Sequence, residues 1–145
     1  MNTPPALVFA LFLAICLMNQ SAEAHTQLGA LGKPGQATDI YLATCQDDGS
    51  GPPDYLEARI IDLPPVAAPI ISLTLSKDGK SVVTNDPKDD DVNYGPLVSL
   101  KAGKGGYTFT VAKSAKGAEI YRFDFHCITA AQVHTGSAIV KKQDQ

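Results

Sequence analysis

Between Gly105 and Cys127 the chain reads GGYTFTVAKSAKGAEIYRFDFHC, and the alternation in this stretch limits what the chain can fold into more than any other feature. Tyr107, Phe109 and Val111 fall on one side of a period-two pattern, and Tyr121, Phe123, Phe125 and Cys127 on one side of a second. Side chains that change face at every residue belong to strands, so these positions define two strands with one apolar face each. The Lys-, Ser-, Ala- and Gly-rich residues between them make the turn of a β-hairpin. Most of the aromatic mass of the chain therefore faces inward here.

The amino-terminal end has a different character. Residues 6 to 18, ALVFALFLAICLM, form an unbroken apolar run, followed by polar Asn19 to Ser21 and then Ala22-Glu23-Ala24. The run is too short to span a bilayer comfortably, and the small-x-small triplet marks a cleavage site, so residues 1–24 read as a secretory signal cut after Ala24. Met1 to Pro5 holds no Lys or Arg, leaving the amino terminus as the only positive charge ahead of the run. Cys16 raises a lipoprotein signal, but bulky Ile15 precedes it and the apolar run continues through Leu17 and Met18. The expected location is the periplasm or the outside medium, with no membrane span once the signal is removed.

Cleavage leaves 121 residues with 14 acidic and 12 basic side chains. That length suits one two-layer core. The basic residues are scattered through turns, apart from Lys141-Lys142, which argues against a nucleic-acid partner. Two cysteines remain, Cys45 and Cys127, and in an oxidising compartment they form a disulfide by default. By closing a long loop it would contribute on the order of 4 kcal/mol. The rival reading, free thiols or metal ligands, lacks the second cysteine two to four residues away that zinc spacing requires.

Residues 25–37 read as an amino-terminal segment ahead of a sandwich domain over 38–145. DIYLATC, Asp39 to Cys45, alternates with apolar residues on both sides, as expected of a strand interior to its sheet. Tyr55 to Leu63 carries Leu56, Ala58 and Ile60 on one side, and Ile70 to Ser76 carries Ile71, Leu73 and Leu75. Lys77-Asp78-Gly79-Lys80 turns into Ser81 to Thr84. Leu97 to Leu100 is a short strand, and Ala138 to Val140 a candidate last edge strand. Seven or eight short strands separated by turn signals, without helices between them, predict an all-β, antiparallel β-sandwich or jelly-roll-like single domain with one disulfide.

ATDIYLATC, ISLTLSKDGKSV, GGYTFTV and EIYRFDFHC together resemble strands of the bacterial pre-peptidase C-terminal domain, over roughly Ala37 to Cys127. That family has an Asp-x-Tyr/Phe opening strand, an apolar strand ending in an Asp-Gly turn, a Gly-Tyr-x-x-x-Val strand and a closing strand that begins with Tyr. The resemblance implies a small β-sandwich whose opening and closing strands are neighbours, which would bring Cys45 and Cys127 together. It also implies a role in substrate adhesion or in stabilising an attached enzyme. Members are usually appended to a catalytic domain, for which this chain has no room. Some bind calcium through acidic loop residues.

Copper and calcium are the two candidate cofactors. For calcium, one acidic loop offers Asp47, Asp48 and Asp54 and a second offers Asp86, Asp89, Asp90, Asp91 and Asn93; close-spaced carboxylates and carbonyls on loops suit a hard cation, although neither loop has EF-hand spacing. For copper, cleavage after Ala24 would expose His25 with a free α-amine that chelates together with its ring, and His126 or His134 would add an imidazole. Such a site resembles the histidine brace of secreted copper proteins. No catalytic residue is assigned, because the chain holds no G-x-S-x-G elbow and no H-E-x-x-H. The leading expectation is a secreted, non-catalytic binding or accessory module acting on an unknown protein or surface ligand. A copper-binding exported protein is the alternative, and a subunit of a larger assembly is a third reading.

Overall fold

The structure, a computed structural model, describes residues 25–64, 69–88 and 92–145. The signal, its cleavage site, Cys16 and Asp89 to Asp91 lie outside the described residues. Nine strands and no helix are found among the described residues. They are β1 (His25–Leu31), β2 (Asp39–Gln46), β3 (Pro53–Leu63), β4 (Ile71–Lys77), β5 (Lys80–Asp86), β6 (Val98–Leu100), β7 (Gly105–Lys113), β8 (Glu119–Thr129) and β9 (His134–Gln143). All pairings are antiparallel, in the order β5-β4-β7-β2-β9-β8-β3-β6, with β1 added along β8. No helix of the described residues is long and apolar enough to cross a membrane.

The path folds into two layers, β5-β4-β7-β2-β9 and β6-β3-β8-β1, linked by β9, which pairs with β8 at Thr135 and His134 and then with β2 from Gly136 to Gln143. The result is a β-sandwich that closes nearly into a barrel. The alternation explains the core: Tyr41, Ala43 and Cys45 meet Ile71, Leu73 and Leu75 and Tyr107, Phe109 and Val111 in one layer, against Leu56, Ala58 and Ile60 and Tyr121, Phe123, Phe125 and Cys127 in the other. Aromatic rings interlock at the centre. Phe123 lies 5.1 Å from Tyr41 and 5.2 Å from Phe109, and Phe109 lies 5.5 Å from Phe125, in edge and tilted arrangements that favour ring quadrupoles.

Strand β2 is interior, between β7 and β9, as its two apolar sides require. The disulfide joins Cys45 to Cys127 with Cα atoms 5.6 Å apart and a sequence separation of 82. It differs from the expectation in one respect. The opening and closing strands are not neighbours, because β9 runs between them, and the bridge ties one layer to the other where β9 crosses.

Two further elements differ from expectation. The segment 25–37 contributes the first strand of the sandwich, β1, paired with β8 from His25↔Phe125 to Leu31↔Glu119. The last strand is longer than expected, ten residues; only His134 and Thr135 pair with β8, and Ala138 to Val140 pair on one side alone, with β2, while inward Ile139 packs on the apolar core and Lys141 reaches a polar seam. At that seam buried Asp39 accepts from the hydroxyl of Tyr121, from the Lys141 ammonium at 3.1 Å and from the Gln145 N–H at 2.9 Å, while the Tyr41 and Tyr121 hydroxyls lie 2.7 Å apart. Strand β1 closes over these tyrosines through Gly29, where a Cβ would stand 2.3 Å from the Tyr121 hydroxyl.

Candidate functional site

The β8–β9 hairpin places the histidines. Its tight end is fixed by Thr129, whose N–H donates to the Val133 carbonyl at 2.9 Å and whose hydroxyl accepts from the Val133 N–H at 3.2 Å, with Gln132 in the left-handed region at φ 63°. The register that follows, Cys127↔Thr135 and Ile128↔His134, sets His126 and His134 diagonally on the same outward face. Their ring centroids are 4.4 Å apart with planes tilted by 31°. His126 is half-buried and His134 exposed. Burial, and then the neighbouring His134 ring, hold His126 below the ordinary histidine pKa.

His25 does not join them. It pairs with Phe125, and its ring stacks on the Phe125 ring at 5.3 Å, on the inward side of β1, the opposite face from His126. Among the described residues no group of three or more His, Cys, Asp or Glu side chains is disposed to hold a metal ion.

The two acidic loops sit at opposite ends of the sandwich, one after β2 and the other after β5. Asp47 accepts from the Gly49 and Gly51 N–H groups at 2.8 and 3.0 Å, and Asp48 from the Ser50 N–H at 3.0 Å. The Ser50 hydroxyl and N–H keep the Asp48 carboxyl below the usual carboxylate range. Asp54 pairs with Lys101 at 3.0 Å. Asp86 is buried and accepts from the Asp62 and Lys88 N–H groups at 2.9 and 3.1 Å, joining β5 to β3. These contacts place Asp47 and Asp48 in turn formation and Asp86 in closure of the sandwich.

A charged assembly that the sequence reading did not single out covers the outer face of the β8 layer. Tyr94, from the loop before β6, lies between two guanidiniums, with the Arg59 carbon 4.3 Å and the Arg122 carbon 5.4 Å from its ring centroid. The Arg122 Nε–H donates to the Tyr94 hydroxyl at 2.7 Å. Arg59 also pairs with Asp124 at 3.3 Å, and Thr26 of β1 donates to Asp124 at 2.9 Å. Glu57 stands directly across from His126. The alternation of EIYRFDFHC already puts Arg122, Asp124 and His126 on one outward face; Tyr94 left no periodic signal.

The outer face of the other layer is the reverse. In register its rows run Val83–Thr74–Thr110–Ile40, Ser81–Ser76–Thr108–Leu42–Val140 and Gly106–Thr44–Ala138. None of these is charged. Lys142, beyond Val140 on β9, is a cation at the border. No family model, no curated protein and no solved structure matches this chain.

Proposed function

We propose that this chain is an exported, non-catalytic accessory module that binds through the outer face of the β5-β4-β7-β2-β9 layer. The observation that carries the reading is the three uncharged rows of Ser, Thr, Ala, Ile, Leu and Val side chains across five adjacent strands. Burying these rows strands no charge within them, Lys142 staying at their border, whereas the opposite face would have to desolvate Glu57, Arg59 and Arg122. An uncharged protein surface is the partner chemistry this face fits. A disulfide between the layers is in keeping with life in an oxidising compartment. The likeness of the strand motifs to the pre-peptidase C-terminal domain points the same way, towards adhesion or support of an enzyme.

The test is site-specific photo-crosslinking in the native host, with the reactive side chain placed at Thr110 or at Arg59. Discrete adducts from Thr110 that Thr74→Lys abolishes are expected, with none from Arg59. Adducts from Arg59 alone, or from both positions alike, would reject this face as the docking surface. The copper reading has one observation in its favour, the contact between His126 and His134. In that reading the α-amine of His25, released by cleavage, joins the pair from the adjoining end of β1.

A further inference from the structure

We infer that His126 and His134 form a two-imidazole chelate for a divalent transition-metal ion of the copper, nickel or zinc class, built on the β8–β9 hairpin and independent of the chain's amino terminus. Imidazole nitrogen is the donor these metals share. The spacing of the rings fits one ion. A metal–nitrogen bond of about 2.0 Å puts the metal about 3.2 Å from each ring centroid, so two imidazoles have centroids about 4.5 Å apart at the right angle of tetragonal copper(II) or nickel(II), and about 5.2 Å apart at the tetrahedral angle of zinc. The observed separation is 4.4 Å. The chelate requires exposed His134 to turn about its side-chain torsions so that both ring nitrogens aim at a common point.

The scaffold holds the two rings in place before any ion arrives. Cys127, between His126 and Ile128, is tied to Cys45, and its ladder partner Thr135 follows His134. The Thr135 hydroxyl is anchored in turn to the Gly51 carbonyl at 2.8 Å and the Gln46 carbonyl at 3.1 Å. Both ligand-bearing strands are therefore fixed one residue from the ligands, which lowers the ordering cost of binding. Glu57 opposite His126, and Asp124 two residues away on the same face, supply negative charge nearby, and Arg59 is turned to Asp124. Two protein donors leave the remaining positions to water or to a donor from another molecule. The inference does not depend on the docking face proposed above, which lies on the other layer.

The experiment is calorimetric titration of the full chain after signal removal, disulfide intact, at pH 7.5, with Cu(II), Ni(II) and Zn(II) salts taken separately. The variants are His126→Gln, His134→Ala, His25→Ala and a form with one extra residue ahead of His25, each checked for folding by its amide NMR spectrum. The expected result, for at least one of the metals, is one bound ion per chain and at least a tenfold loss of affinity in His126→Gln and in His134→Ala. His25→Ala and the extended form should stay within threefold of the parent. Absence of saturable binding, or binding that the terminal changes abolish and the hairpin changes spare, overturns the inference. So does a loss in only one of the two hairpin variants. In Cu(II)-loaded protein the EPR spectrum should carry two-nitrogen coupling that disappears with His126→Gln.

Discussion

The two sides on which the sandwich closes are built differently. On one side a single strand, β9, passes from β8 to β2 and carries the hydrogen-bond ladder from one layer into the other, with the Cys45–Cys127 bridge beneath it and the Asp39 network farther along. On the other side β5 and β3 share no ladder. They are joined by isolated bonds: the Asp62 N–H to Asp86, the Thr84 hydroxyl to the Pro96 carbonyl at 2.6 Å, and the Gly95 N–H to the Ile60 carbonyl at 2.8 Å. A ladder plus a covalent bridge constrains many residues together, whereas isolated bonds to a loop can open one at a time. The continuous side is also where His126 and His134 meet, and a two-ligand site profits from that rigidity.

The largest effect should come from breaking the continuous side. Replacing both cysteines by alanine removes closure of an 82-residue loop from the unfolded state, which on the chain-entropy model costs roughly 4 kcal/mol. Urea unfolding should report this loss, and amide exchange should rise across both layers. On the other side Gly95→Ala is the sharper probe. Its Cβ would stand 2.2 Å from the backbone carbonyl oxygen of Asn85, so the loop must move off β5 at a cost of about 1–3 kcal/mol. Faster exchange should be confined to residues around Thr84 and Gly95. Equal spreading of the two effects would erase the distinction between the sides.

Tyr121→Phe tests the polar part of the seam. It deprives buried Asp39 of a hydroxyl donor and Tyr41 of its partner, an expected loss of about 1–3 kcal/mol. Burial, then the bonds to Asp39 and Tyr41, push the Tyr121 pKa above its ordinary value of 10.0. The unfolded chain therefore releases this proton first as pH rises, and stability falls once pH climbs past about 10. In the Phe variant the alkaline fall should be shallower, with Tyr107 and Tyr94, shifted in the same direction by burial, sustaining the remainder.

The elements legible in the sequence are those whose inner face is apolar throughout. Leu73, Phe109 and Phe123 are buried where the period of two put them, and DIYLATC is interior because both its sides are apolar. Strand β1 was illegible because its inward set is His25, Gln27, Gly29 and Leu31, chosen to fit under a phenylalanine ring and two tyrosine hydroxyls rather than to bury aliphatic carbon. The full length of β9 was hidden for the same reason, since Lys141 faces Asp39 and Gln143 donates to Thr38. For the candidate site, alternation already turned His126 outward. Its meeting with His134 depends on a register fixed by the Thr129 turn, and the position of Tyr94 on a loop that follows no period. Asp86, an acidic-loop candidate in the sequence, accepts from the Asp62 and Lys88 N–H groups and so joins β5 to β3, a role set by the approach of two strands distant in sequence.

The smallest effect concerns the histidine pair and sharpens the comparison from the acid side. His126 has its pKa lowered, first by burial and second by the charge on His134, with Asp124 pulling the other way. In the folded chain it therefore binds its proton at lower pH than in the unfolded chain, where the ordinary value of 6.5 applies. Stability from this group is present above about pH 6.5 and is lost as pH falls through the lowered folded value. Chemical denaturation between pH 7.5 and 5 should show a modest decline that His126→Gln flattens. His134→Ala should flatten it partly, because it removes the largest repulsion and leaves the burial and the weaker repulsion from His25 and Arg59. A decline untouched by either substitution would mean that the acid sensitivity arises elsewhere, and that the two rings do not influence one another across the hairpin.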